Sequence, residues 1–386
     1  MKISSNIDLK NYRNKDQINK IKLKKILSEF LDTNNEILNS LKPTYKNQYS
    51  KKLISKYKNY KNINIVGMGG SILGFKAIFN FLKHKIKKKV YFFDNLNSNI
   101  SGKFQNFLNI IISKSGNTLE TIANINIILK RSRKNIFITE NKRSYLRLLA
   151  LKLKSEIIDH NNFIGGRYSV LSEVGMLPVE LVGLKVSKFK QLNNLIKNKK
   201  FLDSLINNVI ITYNFIGKKK FNSLILNYDE KSDDFLKWYQ QLVAESLGKN
   251  KKGVLPIIST MPKDNHSMMQ LFLDGPKINF YTFFDVKDQN SNKLNYKGYF
   301  NNYKLLKDKK LQEIKQAQRK ATENVFLKKN IPFRSFYILN RTEETLGELF
   351  CFFILETILL AKMMNVNPYD QPSVELIKKE TFKILN

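Results

Sequence analysis

The stretch Asn62-Ile63-Asn64-Ile65-Val66-Gly67-Met68-Gly69-Gly70-Ser71-Ile72-Leu73-Gly74 decides how the chain is read. A short apolar run stops at a cluster of glycines. From Ser71 to about Leu82 the apolar residues then recur at helical spacing. A strand, a glycine-rich turn and a helix in that order bring backbone N–H groups to a helix start, where they can face an anion. The dinucleotide fingerprint needs Gly at position 72, where Ile stands, and the Walker pattern needs Gly-Lys-Ser/Thr, which the chain lacks. Asp94, at the end of the next apolar run, imitates a ribose-binding acid. The glycine spacing still disfavours a nicotinamide cofactor.

Outward from this stretch the pattern repeats. Strands are expected at 62–66, 90–93, 108–112, 135–139 and 156–158, with helices at 71–82 and 118–130. From Ser169 to Val182 the chain turns helical, and a Lys/Asn-rich stretch at 193–200 reads as a surface segment. A second alternation follows. Strands are expected at 222–227, 254–258 and 277–284, and helices at 234–247, 267–273, 309–327, 343–364 and 373–384. Alternating strands and helices argue for an α/β fold of two doubly wound parallel-sheet domains, with helical additions at both ends. The boundaries are drawn as a helical segment at 1–60, a first domain at 61–185 and a second domain with C-terminal helices at 186–386. At 386 residues the chain suits two domains at the usual ~150 residues each.

The second chemical motif is Ser113-Lys114-Ser115-Gly116-Asn117-Thr118, again between a strand and a helix. Three hydroxyls on one loop, a helix N-terminus and a lysine make a compact cage for phosphate. A plain helix cap built on Thr118 would explain some of the same residues. Two such loops at the carboxyl ends of neighbouring strands converge on one crevice and argue for a phosphate monoester.

The Ser113 loop, extended through Leu119-Glu120-Thr121, resembles the sugar isomerase (SIS) domain. The segments Ile164-Gly165-Gly166-Arg167-Tyr168-Ser169, Gln240 to Lys249, Asp264-Asn265-His266-Ser267 and Asn367 to Lys378 follow in the order of the phosphoglucose isomerase family, which the chain resembles from Gly67 to Lys378. The resemblance implies two SIS-type domains and a cofactor-free, metal-free aldose–ketose isomerase of sugar phosphates. It implies Glu245 as the base that moves a proton between C1 and C2, and Arg167 as the charge that stabilises the enediolate. It implies His266 and Lys378 in ring opening. Gly70, Ser71, Ser113, Lys114, Ser115, Thr118 and Gln371 match positions that hold the phosphate and hydroxyls. It further implies a homodimer, with His266 reaching the neighbouring subunit's site. The family usually carries small residues where Glu173, Ser373 and Ile377 stand here. His84 and His160 match no family position and are expected on the surface.

Composition removes other classes. The net charge of +35 suggests a nucleic-acid binder. It comes from 58 Lys beside only 9 Arg, with 46 Asn and 7 Ala, the profile an AT-rich coding sequence produces. The lysines are spread along the chain, with no basic stripe interleaved with aromatics, so neither nucleic acid nor membrane is expected as a partner. The first residues lack the apolar core of a secretory signal, and a cytoplasmic location is expected. Cys351 is expected in the core, and three His with one Cys give no zinc spacing. A sugar-phosphate sensor without turnover is the alternative. It would need the Ser113 loop but not Glu245, Arg167, His266 and Lys378 together.

Overall fold

The structure, a computed structural model, describes residues 1–12, 18–96, 106–129, 134–288, 290–294 and 304–385. Among the described residues, ten strands form two five-stranded sheets. β1 (Ile7–Lys10) belongs to the second sheet. The first contains β2 (Asn62–Val66), β3 (Lys89–Phe93), β4 (Phe107–Ile112), β5 (Lys134–Thr139) and β6 (Glu156–Asp159). It is parallel throughout and ordered β3-β2-β4-β5-β6. The chain passes from β2 to β3 on one side and returns to β4 on the other. The strand order therefore reverses between β2 and β4, where an open parallel sheet places its ligand crevice. The Gly67 turn and the Ser113 loop both leave from these strand ends.

The second sheet is ordered β1-β10-β9-β7-β8, from β7 (Asn222–Asn227), β8 (Leu255–Thr260), β9 (Asn279–Val286) and β10 (Phe333–Ile338). Its parallel part repeats the reversal around β7. β1 pairs antiparallel to β10, with Ile7 opposite Ile338. The segment 1–60, expected as a helical segment, thus also contributes a strand to this sheet. β10 was not expected either. The stretch 193–200 was expected as surface only. It runs into the helix Lys199–Gly217, whose first N–H groups are capped by the Asn198 side chain. The helix expected to reach Lys130 is described from Leu119 to Leu129, and Lys130 lies outside the described residues.

β4 is buried along nearly its whole length, as suits a parallel strand covered on both faces. One polar rung crosses this apolar sheet. Asn64 donates to Asn109 at 2.9 Å, and Asn109 donates to Asn135 at 2.8 Å, all three being buried. The long helix Glu343–Met364 is buried all round apart from Glu344 and Lys362 and packs on helices Lys199–Gly217 and Asp233–Leu247. Apolarity on every side here marks a core helix. Among the described residues no helix is long and apolar enough to cross a membrane. Cys351 sits in this helix, fully buried. Glu356, in the same helix, holds Arg334 of β10 in a buried two-point ion pair. The last helix, Pro372–Leu385, differs. None of its residues is buried, and it exposes Leu376, Ile377, Phe382, Ile384 and Leu385.

Candidate active site

The helix Gly70–Phe81 starts with Gly69 at φ 52°, a left-handed conformation that glycine adopts without strain. A Cβ on Gly70 would lie 2.2 Å from the carbonyl carbon of Gly166, so the helix start touches the backbone of the Gly165-Gly166-Arg167 turn. A Cβ on Gly67 would meet the Ile112 carbonyl oxygen at 2.9 Å, which brings this turn against the end of β4. The Gly67 turn therefore bridges the Ser113 loop and the Arg167 turn.

In the Ser113 loop the nearly buried Ser113 hydroxyl lies 2.8 Å from that of Thr118 and accepts the Gly116 N–H at 3.2 Å. Ser115 accepts the Asn117 N–H at 3.2 Å. Gly116 has φ 66°, and a Cβ there would lie 2.1 Å from Ser144 Oγ, so only glycine fits the bend. The loop presents hydroxyls and N–H groups at the start of helix Leu119–Leu129. The Lys114 ammonium donates to the Asn162 carbonyl at 2.9 Å and lies 3.5 Å from Glu140. It thereby ties this loop to the segment ahead of Arg167.

Arg167 is the hub. It is 2 % exposed, and each of its five N–H donors has an acceptor. Nε donates to Ser246 Oγ at 2.9 Å. Nη1 donates to Glu245 Oε2 at 3.1 Å and to Gln371 Oε1 at 2.6 Å. Nη2 donates to the carbonyls of Pro368 and Asp370 at 2.6 and 3.0 Å. One side chain thus joins the glycine turn, the helix Asp233–Leu247 and the segment before the last helix. Glu245 occupies the final turn of its helix, with the side chain 30 % exposed. Its second oxygen accepts from Gln241 at 2.8 Å, and a Cβ on Gly69 would lie 2.8 Å from the same Gln241 nitrogen. Glu245 therefore stands beside the phosphate turn. A carboxylate offers about four lone-pair sites, so both oxygens keep capacity to take a proton.

The structure brings Gly70, Ser71, Ser113, Ser115, Thr118, Arg167, Glu245 and Gln371 around this crevice. Lys378 and His266 stand apart. Lys378 pairs with Glu375 at 2.6 Å on the exposed face of the last helix. His266 is exposed and makes no side-chain hydrogen bond among the described residues. Its turn is fastened to the end of β8 by Asp264, which accepts from Ser259 and the Thr260 N–H, each at 2.8 Å.

The profile of the phosphoglucose isomerase family matches residues 29–386. This chain belongs to the phosphoglucose isomerase family. It is 31 % identical over 357 residues to the glucose-6-phosphate isomerase of Methanocaldococcus jannaschii, covering 86 % of this chain and 87 % of that protein. It is 30 % identical to that of Acholeplasma laidlawii, with 86 % and 85 % covered. The fold is similar to that of a hypothetical protein from Thermus thermophilus, with TM-score 0.80, 21 % identity and 95 % and 94 % covered. It is similar also to a glucose-6-phosphate isomerase from Chlamydia trachomatis, with TM-score 0.78, 15 % identity and 98 % and 88 % covered. As a phosphoglucose isomerase family member the chain is an isomerase.

Several residues of this family member's site were not foreseen. Gln241 lies one helix turn before Glu245 and Ser246 directly follows it, and that spacing could have marked them. Tyr168 donates to the Pro368 carbonyl at 3.1 Å, and burial pushes its hydroxyl up to about 12. Trp238 donates to the Arg167 carbonyl at 3.2 Å. The expectation for His160 is corrected. It is buried, not a surface residue, and its Nδ1 lies 2.7 Å from Glu173. His84 is exposed, as expected.

Proposed function

We propose that this isomerase interconverts glucose 6-phosphate and fructose 6-phosphate through an enediolate, in glycolysis and gluconeogenesis, with Glu245 as the proton-transferring base. The observation that carries the reading is Arg167, which fixes Glu245 and Gln371 beside the two phosphate loops. The phosphate is received by Ser71, Ser113, Ser115 and Thr118 at two helix starts. Glu245 takes the C2 proton and returns it to C1, a task suited to one carboxylate with free lone pairs. Arg167 places a fixed charge where the oxyanion develops, and its full set of hydrogen bonds keeps it from reorganising during the step.

Ring opening falls to His266 and Lys378. Lys378 lies seven residues beyond Gln371, about 10 Å along the helix. Its present exposed pairing with Glu375 is worth little, so turning toward the sugar costs little. His266 is delivered by a second copy of the chain. Its exposure supports this, as do the exposed Met268 and Leu271 beside it and the uncovered apolar residues of the last helix. The enzyme acts in the cytoplasm, where charge confines phosphorylated sugars because an ion does not pass readily into an apolar layer.

A coupled assay with fructose 6-phosphate on the wild type and on Glu245→Gln tests the reading. The substitution should lower kcat by ~100-fold or more, the scale of a lost general base. Equal rates would remove Glu245 from the mechanism.

A further inference from the structure

Glu173 lies outside the reacting cluster and no part of it is exposed. It begins the helix Glu173–Leu181, directly after the turn that carries Arg167. A buried carboxylate is costly unless its oxygens are bonded. Both are bonded here. Oε1 lies 2.7 Å from His160 Nδ1 and accepts the Asn161 N–H at 2.9 Å. Oε2 accepts the Tyr45 hydroxyl at 3.1 Å. The helix start adds a favourable dipole. Burial pushes the carboxyl up, but the His160 contact and the Asn161 N–H outweigh it and hold it below the usual range.

His160 and Asn161 stand at the far end of the same excursion of the chain. It leaves β6 at Asp159, passes them, makes the Gly165-Gly166-Arg167 turn and comes back at Glu173. The carboxylate therefore closes the neck of a loop whose middle carries Arg167. The outer part of the loop is held on two sides, by the Lys114 ammonium on the Asn162 carbonyl at 2.9 Å and by Asn161 donating to Glu36 at 2.7 Å.

We propose that Glu173 is a positioning residue: by gripping His160 and Asn161 it closes the loop 160–173 and fixes Arg167 in its working position. This rests on the role given above to Arg167. It also gives a use to a carboxylate that stands where the family usually has a small residue.

The test compares steady-state kinetics of the purified enzyme, at a temperature well below the unfolding of each variant that folds, for Glu173→Ala, Glu173→Gln, His160→Ala, the double variant E173A/H160A and Arg167→Ala. Opening the neck in Glu173→Ala should lower kcat by ~10-fold or more, because small displacements of a catalytic group are costly. The amide of Glu173→Gln keeps an acceptor for Asn161, and kcat should stay within ~3-fold of wild type. His160→Ala should lower kcat as well, and the double variant should be no slower than E173A, since both changes open one neck. Wild-type kcat in folded Glu173→Ala, or a Gln variant as slow as the Ala variant, overturns the proposal. Should Glu173→Ala not fold, wild-type kcat in His160→Ala overturns it and a fall supports it. If Arg167→Ala keeps wild-type activity, the role of Arg167 fails. If Arg167→Ala is impaired while the neck variants are not, only the positioning role fails.

Discussion

Gly70→Ala tests how closely the phosphate turn and the Arg167 turn depend on one another. A Cβ on Gly70 would lie 2.2 Å from Gly166 C, 2.4 Å from Gly166 O and 2.5 Å from Arg167 N. Every one of these is a backbone atom, so no flexible side chain can move aside. Non-bonded carbons settle at about 3.5 Å. The two segments must then part by about 1.3 Å, the difference between that distance and the 2.2 Å contact. Overpacking of this kind costs ~1–3 kcal/mol of stability. A displacement near 1 Å at a catalytic group costs on the order of 100-fold in rate. Gly70→Ala should therefore unfold at lower urea concentration and lose ~100-fold in kcat/KM in the fructose 6-phosphate assay. Gly217→Ala is the control. Nothing stands within 4 Å of a Cβ on Gly217, so full activity is expected. A Gly70→Ala enzyme within ~3-fold of wild type and equally stable would refute the packing argument.

Glu356→Gln should destabilise the protein by ~3–5 kcal/mol in urea unfolding, because it leaves the buried Arg334 guanidinium without a counter-charge. A loss under ~1 kcal/mol would show that the pair does not carry charge in the fold. Burial pushes the Lys190 ammonium down to about 7, while it donates to the carbonyls of Ser40 and Leu171. An unfolded chain keeps that proton up to ~10.4, so the native state holds fewer protons between the two values and stability rises with pH across that window. Wild type should gain stability over Lys190→Met as pH is raised from 7 to 9.5, and a constant difference would contradict this.

The first sheet was legible because its strands are nearly continuous apolar runs that stop at glycine or polar turns, a signal that needs no knowledge of the partner strand. β1 was not. Ile7–Lys10 is four residues long, and its burial depends on β10, more than three hundred residues away. β10 was hidden for a different reason. Arg334 and Ser335 interrupt its apolar pattern, and they are tolerated in the interior only because Glu356 and Glu323 receive them. Glu245 and Arg167 were singled out through the order of their motifs, since no local pattern sets either apart from a solvated charge, and the fold places the two side chains in contact. His160 was misread because its partner lies thirteen residues away across a turn whose course the sequence does not show.

The asparagine rung in the first sheet has a consequence for folding. In a sheet with one wet face, alternation of apolar and polar residues sets how strands align. β4 lacks that cue, being buried on both faces, so a shift by one residue changes its apolar burial little. Such a shift would take Asn109 from between Asn64 and Asn135 and leave their amides unmatched, at ~1–3 kcal/mol for each unpaired group. The three asparagines thus act as alignment marks, holding strands that are otherwise interchangeable in a single common register.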